Sequence, residues 1–113
     1  MTTSDTASTR ATITRLNDCF RRHPGEGSIV TAGVQAKGPI FVLCATSAVS
    51  AFQALTSDND PHGERDFGAF QLSGERLFWK IDYYDTDLRY GSPDPADPAV
   101  TRRVMTIMLA SEY

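Results

Sequence analysis

The stretch Asp66-Phe67-Gly68-Ala69-Phe70-Gln71-Leu72-Ser73-Gly74-Glu75-Arg76-Leu77-Phe78-Trp79-Lys80-Ile81-Asp82-Tyr83-Tyr84 decides the fold. Ser73-Gly74 is a turn pair between two runs rich in aromatic and branched side chains, the pattern of a β-hairpin. With a two-residue turn, Phe70 faces Leu77, Gly68 faces Trp79 and Asp66 faces Ile81. Phe70, Leu72, Leu77, Trp79 and Ile81 then share one side, the expected core side. A glycine opposite the indole fits, because a large ring can lie across a residue with no side chain. The other side collects Phe67, Ala69, Gln71, Arg76, Phe78, Lys80, Asp82 and Tyr84 and reads as mixed and half exposed. Register carries the whole assignment, since a slip of one residue exchanges the two sides.

Working outward, residues 9–22 place Ile13, Leu16, Cys19 and Phe20 at helical spacing and stop at His23-Pro24-Gly25, so they predict an amphipathic helix. Residues 1–8 read as a disordered polar tail, leaving 9–113 as one domain. Residues 28–34 are short and β-branched between glycines, which predicts a strand. Residues 38–57 contain no charge, and Phe41, Cys44, Ala45, Ala48, Phe52 and Leu55 recur at a period near 3.6, which predicts a helix packed on more than one side. Thr46, Ser47, Ser50 and Gln53 interrupt it, and it is too short to span a bilayer. Residues 90–98 form a Pro/Asp loop. Asp97 can then cap, and Pro98 start, a final helix with Val100, Val104, Ile107 and Met108 on one face. The expected order is α-β-α-β-β-α. That is an α+β fold with a small three-stranded, largely antiparallel sheet and helices packed on it.

At 113 residues the chain has room for one core and no second domain. Its start lacks the basic, apolar and small-residue succession of a signal peptide, and no segment suits a membrane, so a cytoplasmic protein is expected. Cys19 and Cys44 lack metal or redox spacing and read as buried free thiols of a reducing compartment. The net charge of -3 hides an uneven distribution. Residues 57–97 hold ten carboxylates against four bases, a local -6, and the remainder carries +3. Arg10, Arg15, Arg21 and Arg22 are the one basic stripe, and a solvated helix face accounts for them. The pattern therefore argues against direct nucleic-acid binding.

The densest set of polar side chains is Asp58-Asn59-Asp60-Pro61-His62-Gly63-Glu64-Arg65-Asp66. As a calcium loop it fails where a bidentate glutamate is required, because that position is Ala69. A weaker cation site on Asp58, Asp60 and Asp66 stays open as an alternative. So does an acid/base site pairing His62 with Asp60 or Asp66. The simpler reading is that Asp and Asn before Pro and Gly form turns. Two histidines on unrelated segments do not suggest zinc, and no cofactor is implied. Seven of the eleven aromatics lie between residues 66 and 90 among excess carboxylates, which would repel phosphate. An aromatic surface with an acidic rim suits a protein partner with a basic surface. The residues expected to form it are Asp58, Asp60, His62, Glu64, Lys80, Asp82, Tyr84 and Asp85. A homodimer through the uncharged helix is a further alternative.

Residues 31–113 resemble a bacterial family known as a domain of unknown function. The resemblance is carried by Thr31-Ala32-Gly33-Val34, Asp58-Asn59-Asp60-Pro61-His62-Gly63-Glu64, Asp66-Phe67-Gly68, Phe78-Trp79-Lys80-Ile81-Asp82-Tyr83-Tyr84-Asp85, Gly91-Ser92, Asp94-Pro95-Ala96-Asp97-Pro98 and Arg103-Val104 onward, with Leu16-Asn17-Asp18 upstream. It implies no activity, catalytic residue or cofactor. It does imply a small protein often encoded on plasmids and integrative elements near antirestriction genes. With the charge pattern, the expected function is a non-enzymatic interaction protein that inhibits or regulates a bacterial defence nucleic-acid enzyme, of antirestriction or anti-CRISPR type. The alternative is a small metal-assisted or acid/base enzyme centred on residues 58–66.

Overall fold

The hairpin forms in the expected register in a computed structural model that describes residues 3–52 and 63–113, with the backbone alone for residues 3–8. Its strands are β2 (Phe67–Leu72) and β3 (Glu75–Tyr84). Phe70 pairs with Leu77 and Gly68 with Trp79, while the Ile81 amide donates to the Asp66 carbonyl at 2.8 Å. Ser73 and Gly74 both take positive φ, +51° and +81°, as the tight turn matched to strand twist requires. Leu77, Trp79 and Ile81 are buried, with Phe70 and Leu72 packed against them, so the expected core side is the core side.

The remaining elements are α1 (Thr3–Arg22), β1 (Ser28–Val30), α2 (Ala32–Gln35), α3 (Pro39–Ser50) and β4 (Arg102–Leu109), with 3-10 turns at Gly25–Gly27 and Ala110–Glu112. The class is α+β, but the sheet has four strands rather than three, in the order β1-β4-β3-β2. The expected final helix is a strand: β4 lies inside the sheet, antiparallel to β3 and parallel to β1. Its apolar residues fit either period, and the tertiary slot chose between them. Met105, Ile107 and Leu109 face the core beside Ile81, Trp79 and Leu77, and β-branched Val104, Thr106 and Ile107 suit a strand paired on both edges. Asp97 caps a turn instead, its carboxylate accepting from the Ala99 amide at 2.9 Å.

Three further expectations are corrected. β1 stops at Val30, because the Thr31 amide makes a last bond to the Ile107 carbonyl and the chain then coils so that Val34 enters the core. Among the described residues, the uncharged helix is covered on one side only. Ala45 and Val49 are buried, while Ile40 and Leu43 are 75% and 67% exposed. Both cysteines are exposed free thiols, since each sits on an outward stripe of its helix. Among the described residues, no helix is long and apolar enough to cross a membrane.

The core centres on Trp79, wholly buried, with Phe52 edge-on at 5.5 Å and the Arg21 guanidinium over its ring at 5.5 Å. Gly68 lies against the same indole, and a Cβ there would collide with both Trp79 and Phe52. Gly68→Ala should therefore destabilise by about 1–3 kcal/mol through overpacking. A urea titration checks it, and an unchanged midpoint would show that the indole does not depend on the glycine.

Candidate functional site

Asn17 belongs to the apolar stripe of α1, one turn after buried Ile13, and is itself wholly buried. An amide there must be fully hydrogen-bonded. Its Nδ2 donates to the Glu64 carbonyl at 2.9 Å and to the Tyr83 hydroxyl at 2.8 Å, and its Oδ1 accepts from Arg103 Nε at 2.7 Å. Tyr83 in turn donates to Glu64 Oε1 at 3.0 Å. The Arg103 guanidinium lies over the Tyr83 ring at 5.2 Å. Burial is the main cause that pushes the Tyr83 pKa well above its ordinary value, and the nearby Asp66 and Glu64 carboxylates add to it. Burial also lowers the Arg103 pKa, opposed by Tyr83 and Glu64. One polar knot thus joins α1, β3, β4 and the segment entering β2.

The knot extends into the connection from β3 to β4. Arg103 also donates from Nη2 to the Pro95 carbonyl at 2.6 Å, and Thr101 Oγ1 donates to the Asp94 carbonyl at 2.8 Å. The acids of this loop shape its turns. Asp85 Oδ1 accepts from the amides of Asp87 and Arg89, and Asp94 Oδ1 from the Ala96 amide. The Asp85 amide donates to the Tyr90 carbonyl, and Leu88 is held at φ +60°, a conformation that a branched side chain rarely adopts. The outcome is an acidic loop closed by its own hydrogen bonds, from which Leu88 and Tyr90 project, 50% and 74% exposed.

The expected site residues fall in separate places. Asp58, Asp60 and His62 lie outside the described residues. Glu64 is committed to Tyr83, and Asp66 opens β2 on the helix side of the sheet. Lys80 and Asp82 form an ion pair at 2.8 Å on the opposite side, and the hydrogen bond to Asp82 is the main cause raising the Lys80 pKa. Tyr84 shares that side, where Phe67, Phe78 and Tyr113 stack with centroids 5.2 to 5.9 Å apart. Asp85 begins the acidic loop. Among the described residues, no group of three His, Cys, Asp or Glu is placed to hold a metal.

Sequence reasoning missed Asn17, Tyr83 and Arg103 as a unit. A signal existed for Asn17, a polar residue on an apolar helical stripe. It also counted Arg21 in a solvated stripe, whereas Arg21 is buried against Trp79 with Asp18 at 2.9 Å. Arg10, Arg15 and Arg22 stay outside and, with Arg65, line a groove of about 680 Å³ beside α1.

The family described as protein of unknown function (DUF3768) matches residues 30–112, and the chain belongs to it. No curated protein and no solved structure matches the chain.

Two outcomes follow from the knot. Asn17→Ala should cost about 3 kcal/mol, because it strands buried groups on three other segments. A thermal or urea melt measures this, and a loss below about 1 kcal/mol would deny Asn17 that role. Tyr83 keeps its proton in the folded chain above the pH at which an unfolded tyrosine releases it. Its contribution is therefore complete below about pH 10 and declines as pH rises further. Unfolding midpoints between pH 9 and 11.5 should fall more steeply for the wild type than for Tyr83→Phe, and parallel curves would contradict the assignment.

Proposed function

We propose that this member of the family is a non-enzymatic interaction protein of the cytoplasm, which occupies a basic surface of a partner protein through the loop at residues 85–98. The observation that carries this is the presentation of Leu88 and Tyr90. Two large side chains stand out among Asp85, Asp87 and Asp94 on a loop whose turns are closed by its own carboxylates. A rigid aromatic anchor loses little entropy on docking, and the acidic rim supplies steering and orientation toward a basic patch. The strained backbone at Leu88 supports the same reading, since such conformations persist where a surface is held ready for a ligand.

The finer reading takes its setting from the family resemblance. Restriction and CRISPR-type defence enzymes, like other nucleic-acid enzymes, carry a basic surface shaped for a nucleic-acid backbone, and an acidic loop with an aromatic tip can cover one. Inhibition follows by occupancy of the substrate path, with no chemical step by this protein.

DNA cleavage by a panel of restriction and RNA-guided nucleases, run with increasing amounts of the protein, tests the proposal. Inhibition of at least one enzyme by the wild type is expected. Asp87→Lys combined with Tyr90→Ala should weaken it by about 30-fold, the effect of losing one interface anchor. Lack of inhibition across the panel would remove the defence-enzyme reading. Full inhibition by the double variant would remove the loop from the interface.

A further inference from the structure

We infer that the groove along α1 is a second binding surface, on which the phosphate backbone of a single-stranded nucleic acid lies. It is lined by Arg10, Arg15 and Arg22 from the helix and by Arg65 from the segment before β2. All four are exposed, and no anionic side chain engages Arg10, Arg15 or Arg22 among the described residues. The one carboxylate among the described lining residues, Asp18, is shared between Arg21 and Arg65 at 2.9 Å each. At 3.6 residues per turn, Arg15 and Arg22 share one stripe of α1 about 10.5 Å apart along the axis, while Arg10 lies about 140° round the helix from Arg15, at the opposite edge of the groove. Cations spread over both edges of the groove and along its length suit an extended polyanion better than a single compact anion.

The rest of the lining selects the kind of polyanion. Among the described residues it is built from small or polar side chains such as Ala11, Thr14 and Gly63, with the His23 imidazole as its one ring. A peptide would find no apolar pocket for an anchor, and bases would find a single imidazole rather than an aromatic platform. What the groove offers is chiefly charge, and a phosphodiester chain draws its affinity from charge neutralisation and counterion release. The negative charge of the whole molecule does not cancel this. Leu88, Pro98 and Thr101 line a second cleft that meets this groove at Cys19 and His23, and screening limits the reach of the neighbouring carboxylates to about 8–10 Å at physiological salt. The site is distinct from the acidic loop, so the two readings stand or fall separately.

Fluorescence anisotropy with a labelled mixed-sequence single-stranded 12-mer and the full chain tests the inference. Binding at low salt is expected, with affinity falling about 100-fold between 20 and 200 mM salt, the slope for about three phosphate contacts. Arg15→Glu with Arg22→Glu should abolish it, while Arg15→Gln with Arg22→Gln should weaken it and flatten the slope; circular dichroism confirms that both variants are folded. Failure of the wild type to bind at 20 mM salt would overturn the proposal, as would unchanged binding by the double glutamate variant. Displacement by a poly-glutamate peptide at lower concentration than by unlabelled 12-mer would also overturn it, and would assign the groove to an acidic protein.

Discussion

The bonding of one buried amide governs how the layers of this protein meet. Asn17 has two donors and an acceptor facing the interior, and each finds its partner on a different segment: the Glu64 carbonyl, the Tyr83 hydroxyl and Arg103. Apolar contact between a helix and a sheet tolerates sliding, because dispersion has little direction. A buried polar group does not, since an unmade bond in low dielectric costs more than the bond contributes when made. The knot therefore sets the register of α1 on β3 and β4. Through Arg103 and the Pro95 carbonyl it also places the acidic loop.

Trp79 does the corresponding work in the apolar layer. Its indole is accommodated only because Gly68 lies opposite, and it supports Phe52 at the end of the helical layer and Arg21 from α1. Placing Arg21 there has an electrostatic consequence. Asp18 is drawn to Arg21 and Arg65, and among the described residues no carboxylate pairs with Arg10, Arg15 or Arg22 at the groove. The acids of residues 85–97 fold into turns of their own loop. A chain of modest net charge thus carries two surfaces of opposite sign, separated by a helix that belongs to the structure of both.

The hairpin was legible because its information is local. The Ser73-Gly74 pair and strict alternation set the faces of β2 and β3, and Gly68 opposite Trp79 confirmed the register. Residues 98–109 were not legible in the same way. Val100, Val104, Ile107 and Met108 satisfy a helical period as well as a strand period, and only the vacancy between β1 and β3 makes the strand the better choice. The uncharged segment around α3 was open to a similar error, since absence of charge implies burial on all sides only if neighbours are there to cover it. Ile40 and Leu43 have none among the described residues.

By itself, the sequence determined an α+β domain built on this hairpin, the core side of that hairpin, the first helix and the concentration of acids in residues 57–97. Each of these rests on residues near in the chain, where periodicity, turn chemistry and composition act directly. Tertiary structure alone decided the fourth strand, the knot at Asn17 and which arginines are buried or free. It also decided that Glu64, Asp82 and Asp85, all acids of one region, serve three different places. Those outcomes depend on contacts between segments tens of residues apart, such as Asn17 with Arg103, and no local pattern specifies which distant partner a side chain will meet.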